Sequence, residues 1–113
     1  MRYSIVYALT RPDAGEKVSL GIVYIDGEKP EFIFSKEKLE VGKLLLSEKE
    51  GYFLSRILDS FQKKSLEAKS SDDMAATISY LHRYSNNLIG FSPVLQDSVS
   101  TREELFRRYV RRA

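Results

Sequence analysis

A chain of 113 residues and 13.0 kDa, with 42% apolar, 12% aromatic and 30% charged residues, has room for one hydrophobic core, and its composition excludes disordered, collagenous and coiled-coil classes. Eighteen Lys and Arg against sixteen Asp and Glu leave a formal charge of +2, too small for a molecule-wide field that would steer nucleic acid or membrane, so any basic partner site must be local. Without cysteine there is no disulfide, thiolate nucleophile or cysteine zinc site, and the single His82 cannot form a histidine cluster.

The first segment alternates: Tyr3, Ile5, Tyr7 and Leu9 share one side of a strand and Ser4, Val6, Ala8 and Thr10 the other. Arg11-Pro12-Asp13-Ala14-Gly15-Glu16-Lys17 has the composition of a solvated hairpin loop. From Val18 to Ile25 the pattern predicts a central strand, with Val18, Leu20, Ile22 and Tyr24 on one face and Ser19, Gly21, Val23 and Ile25 on the other. Gly21 inside it marks a bulge or a close approach, by a helix aromatic or by a ligand or partner backbone. Asp26-Gly27 is a type I′ turn signal. A third strand follows, with Pro30 at an edge or strand start and Phe32 and Phe34 on one face.

After Ser35 the period changes. Ser35 to Leu46 fits a short helix with Leu39 and Leu44 inward, although Leu39, Val41 and Leu45 also alternate as a strand would; the helix is preferred. Ser47-Glu48-Lys49-Glu50 is a capping box, and Phe53, Leu54, Ile57, Leu58 and Phe61 form the inward stripe of the helix it opens. Ser70-Ser71-Asp72-Asp73 caps another helix with Met74, Ile78 and Leu81 inward, and Asn86 and Asn87 suit the left-handed conformation that ends it. Leu88 to Leu95, interrupted by Pro93, reads as an extended edge segment. Ser100-Thr101-Arg102-Glu103 is a second capping box, and Leu105, Phe106, Tyr109 and Val110 are the inward residues of the closing helix. The expected architecture is a single α+β domain over residues 1–113: an antiparallel meander sheet of about four strands with helices packed on one face. Its other face carries Ser4 and Ser19 together with the apolar Val6, Val23 and Ile25.

No apolar run approaches the roughly 20 residues of a membrane span. Met1-Arg2-Tyr3-Ser4 leads into an alternating segment with no signal-peptide core, so a cytoplasmic bacterial-type domain is expected. The strand Tyr3-Ser4-Ile5-Val6 and the hairpin from Gly15 to Val23 (Gly-Glu-x-Val-x-x-Gly-Ile) carry a likeness that continues in Ile89-Gly90-Phe91-Ser92-Pro93 and in the closing Glu104-Leu105-Phe106-Arg107-Arg108-Tyr109-Val110. Together they resemble a family of small bacterial proteins known only as a domain of unknown function. The likeness spans nearly the whole chain, the middle in pattern only, and the family carries Asn in the place of Ser19. The resemblance implies short stand-alone bacterial chains, some encoded near a kinase-like protein related to toxin kinases, with no activity or catalytic residue.

Convergent chemistry is hard to find in the residues themselves. His82 has Ile78 and Asn86 at helical spacing and no carboxylate to orient it. Asp72 and Asp73 suit a helix start, and adjacent helical positions do not face each other. No phosphate-binding glycine loop or nucleophile elbow is present, and no cofactor or metal is called for. Two polar clusters remain. One is the hairpin loop with Arg11, Asp13, Glu16 and Lys17. The other is the closing helix, where Arg102, Arg107, Arg108, Arg111 and Arg112 hold five of the nine arginines. Arginine forks suit carboxylate or phosphate. The candidate binding residues are therefore Arg11, Glu16, Arg107, Arg108, Arg111 and Arg112. The sequence points to a non-catalytic interaction or accessory module whose partner is another protein or a second copy of the chain, docked on an exposed apolar face or an open sheet edge. The alternative is nucleic-acid binding through the arginine-rich helix.

Overall fold

A computed structural model describes residues 1–25, 30–67, 69–84 and 88–111. Strand β1 (Arg2–Arg11) pairs antiparallel with β2 (Glu16–Tyr24), which pairs with β3 (Glu31–Phe34); β4 (Ile89–Phe91) and β5 (Leu95–Gln96) both pair with the far side of β1. The sheet order is β3-β2-β1-β4, the expected meander with a late edge segment. Helices α1 (Lys36–Leu44), α2 (Glu48–Glu67) and α3 (Ser71–Tyr84) lie between β3 and β4, and the short α4 (Arg102–Phe106) continues into a π-helical turn, Arg107–Arg111. The fold is α+β with an antiparallel sheet.

Both faces of the sheet are covered. Val6, Ala8, Leu20, Val23 and Phe32 pack under Leu54, Leu58, Phe61, Met74 and Leu81 of α2 and α3, so these helices cover the face that was expected to be partly wet. Tyr3, Ile5, Ile22 and Tyr24 on the opposite face are buried by Leu105 and Val110. The expectation that helices occupy one face only is thus corrected by the closing segment, which takes the other face. The reason lies in the central pair: β1 and β2 are flanked on both edges, so their apolar residues on either side need a cover. Ser4, Val6, Val23 and Ile25, expected on a partly wet side, are all buried.

A bulge explains the altered phase of β2. Val6 faces Gly21 but Tyr7 faces Ser19, leaving Leu20 as the extra residue. Leu20 therefore joins Val23 on the α2 face while Ile22 and Tyr24 turn to α4. Sequence periodicity placed Leu20, Ile22 and Tyr24 together because an inserted residue is invisible to a period of two. Among the described residues the buried Ser19 hydroxyl, next to the bulge, has no hydrogen-bond partner. The expected loop shortens to a 3-10 turn, Pro12–Ala14, with Gly15 at φ +72°.

Local signals elsewhere hold with shifts of a residue or two. Ser35 caps α1 through its side chain, 3.2 Å from the Lys38 amide, so Ser35 to Leu46 opens as a helix. Leu44 is 85% exposed, not inward; the buried residue of α1 is Gly42, which faces Ala8, Leu20 and Leu54. The Ser47–Glu50 box forms. Phe53 stands 36% exposed at the flank of α2, whose buried stripe is Leu54, Ile57, Leu58, Phe61 and Ser65. Met74 and Leu81 are buried and Ile78 half-buried. The last capping box uses Thr101 and Glu104 rather than Ser100 and Glu103, since the Ser100 amide donates to Asp97 at 2.7 Å. Between β4 and β5 the side chain of Ser92 continues the ladder past Pro93: its Oγ accepts from the Ile5 amide at 2.8 Å while its carbonyl accepts from Ser4 Oγ at 2.8 Å. Asp26-Gly27, Asn86, Asn87 and Arg112 lie outside the described residues, as do the side chains of His82 and Arg111.

Candidate interaction surface

The charged residues singled out by sequence mostly hold the scaffold together. Glu16 accepts from Thr10 Oγ1 at 2.7 Å, and Lys17 lies 4.3 Å over the Tyr7 ring. Arg11 and Asp13 remain exposed at the hairpin end. On the closing segment, Arg107 reaches Glu103 at 3.7 Å, and Arg108 reaches Asp97 at 3.8 Å and Ser100 Oγ at 3.3 Å. Exposed pairs of this kind contribute at most about 1 kcal/mol, but they occupy the forks that a phosphate would need. Among the described residues no hydrogen bond or ion pair joins the hairpin group to the arginine group. Nor does any cluster of three or more His, Asp or Glu there have metal-holding geometry.

Arg102 does more than its neighbours. Its guanidinium donates to Glu31 at 2.9 Å and stacks 5.0 Å over Tyr24, while its carbonyl accepts from Tyr24 Oη at 2.8 Å. These contacts pin α4 to β3 and β2. Tyr3 Oη donates to Tyr109 Oη at 3.3 Å, holding the π-helical turn to β1. Burial pushes both Tyr3 and Tyr24 up to about 12, the Tyr109 hydrogen bond adding to the shift at Tyr3 and Glu31 to that at Tyr24. The amides of Ser100 and Val99 hold Asp97 below the usual carboxylate range.

The raised tyrosines predict a stability loss in alkali. The folded values lie above the ordinary value of 10.0, so their contribution is whole below pH 10 and disappears as pH rises toward 12. Tyrosinate absorbance followed alongside circular dichroism checks this. Tyr3 and Tyr24 should ionise late and together with loss of structure, with Tyr7, which burial also raises, delayed as well; ionisation of all seven near 10 with the fold intact contradicts the assignment.

A cleft of about 310 Å³ runs along the outer side of β3. Its floor is the strand from Pro30 to Phe34; Ser65 and Leu66 of α2 wall one side and Arg102 the other. Ser35 donates its amide to Leu20 at 2.8 Å, so odd-numbered residues of β3 turn their backbone groups toward β2. The amides and carbonyls of Phe32 and Phe34 consequently face outward. Among the described residues nothing pairs with them. Pro30 shares that outward phase, where its missing N–H leaves no unmet donor. The opposite edge differs, being split by Ser92 and Pro93 into segments of three and two residues. Ile33 is 36% and Leu66 65% exposed beside the cleft.

Sequence reasoning identified Pro30 as an edge residue but missed Ile33 and Leu66. Both carried a faint signal: Ile33 is out of phase with the two phenylalanines, and Leu66 lies off the α2 stripe among Lys63, Lys64 and Glu67. No protein-family model, curated protein or solved structure matches the chain. No helix among the described residues is long and apolar enough to cross a membrane.

Proposed function

We propose that the chain is a non-catalytic interaction module of the bacterial cytoplasm, an accessory to another protein. The resemblance of its hairpin and closing helix makes a kinase-like protein the first partner to test. The observation that supports this reading most is the open edge of β3 within its cleft, since an unpaired ladder recognises an extended chain and needs no reacting group. Among the described residues, the ion pairs Arg102–Glu31 and Arg108–Asp97 tie separate parts of the scaffold together. Capture of the tagged full chain from native lysate, followed by mass spectrometry, should recover one partner reproducibly; recovery of only the monomer, with no reproducible partner, counts against the reading. Nucleic-acid binding through Arg107, Arg108, Arg111 and Arg112 is the second reading, favoured by the number of arginines at this end. A gel shift that fades steeply with salt and on Arg107→Ala with Arg111→Ala would put it first. No shift at low salt removes it.

A further inference from the structure

We propose that the edge of β3 pairs with the same edge of a second copy of this chain, antiparallel across a two-fold axis at Ile33. The proposal rests on the interaction-module reading and names the occupant of its cleft. Outward backbone groups belong to Phe32 and Phe34, so a two-fold axis through Ile33 lets Phe32 of each copy exchange both backbone hydrogen bonds with Phe34 of the other. The two Ile33 side chains then meet in the close, non-hydrogen-bonded position, where β-branched pairs pack best. This covers an isoleucine that is 36% exposed in the single chain.

On the other face the rings of Phe61, Phe32 and Phe34 already form a stack, with centroids 4.4 Å and 5.7 Å apart. Pairing brings Phe32 of the second copy next to Phe34, continuing the stack across the axis. Leu66, beside the same cleft, loses water on the same event.

The hydrogen-bonding phase of β3 selects the register of this self-match: with the axis at Ile33, Glu31 falls opposite Ser35 and its carboxylate stays on Arg102 at 2.9 Å. An axis through Phe32 instead would place Glu31 opposite Ile33 and set Phe34 against Pro30, whose missing amide leaves the Phe34 carbonyl without a donor.

Sedimentation of the full chain over a wide concentration range tests the proposal, with amide hydrogen exchange at Phe32 and Phe34. The chain should dimerise, and both amides should become protected as the dimer fills. Ile33→Lys and Ile33→Asp each place like charges on the axis and should weaken association about tenfold or more while circular dichroism stays native. Mixing the two variants should restore a dimer, seen as a heterodimer by native mass spectrometry. A wild-type chain that stays monomeric overturns the proposal but leaves the interaction-module reading to the lysate capture, which fails separately. A dimer with both amides unprotected, or a mixture of variants that stays monomeric, also overturns it.

Discussion

Phe61→Ala is expected to lower the unfolding free energy by about 3–5 kcal/mol, the usual cost of deleting a fully buried aromatic ring. Phe61 has no solvent exposure. Its ring stacks on Phe32 at 4.4 Å and meets Phe91 edge-on at 5.8 Å. One side chain of α2 therefore touches β3 at one edge of the sheet and β4 at the other, and its loss opens a cavity that helix and sheet cannot close without moving both edges. A domain of this size is stable by roughly 5–15 kcal/mol, so the variant should unfold at a much lower urea midpoint with an unchanged slope. A loss below about 1 kcal/mol would mean that the ring is not where the two edges meet.

Gly21→Ala should destabilise by about 3 kcal/mol, the upper part of the range for overpacking. A Cβ at this position would run into the Ile33 carbonyl oxygen and sit 2.8 Å from Phe34 Cα. Both atoms belong to the backbone of β3, so no side-chain rotation relieves the clash; β2 and β3 must separate, and the ladder between them weakens. The predicted signature is a fall in melting temperature of roughly 10–20 °C with faster amide exchange at Ile22 and Ile33, which face each other across that ladder. Equal stability of Gly21→Ala and wild type would show that the strands are not this close. The sequence suggested a helix aromatic, a ligand or a partner as the close neighbour. The neighbour is the adjacent strand, because the bulge at Leu20 brings Gly21 directly opposite Phe34.

The candidate surface was less legible than the fold. Arg107 and Arg108 stood out as an accumulation of charge, yet Glu103 and Asp97 meet them, and the pairing with Asp97 spans a turn that no helical spacing anticipates. Arg102 looked like one arginine among five, and only the folding of α4 across the sheet sets it against Glu31 and Tyr24. The cleft it helps to wall combines residues from three separate elements, none of which carries a motif.

By itself the sequence determined the elements that depend on neighbours within a few positions. The meander, the serine caps at Ser35 and Ser47, the α2 and α3 stripes and the proline-broken edge segment all follow from steric and hydrogen-bonding preferences of short stretches. Tertiary structure alone decided which face each element covers, where the inserted residue of β2 falls and which edge stays open. These outcomes turn on contacts between residues far apart in the chain: the apolar side of a strand is a local property, but what buries it depends on everything else competing for the same surface.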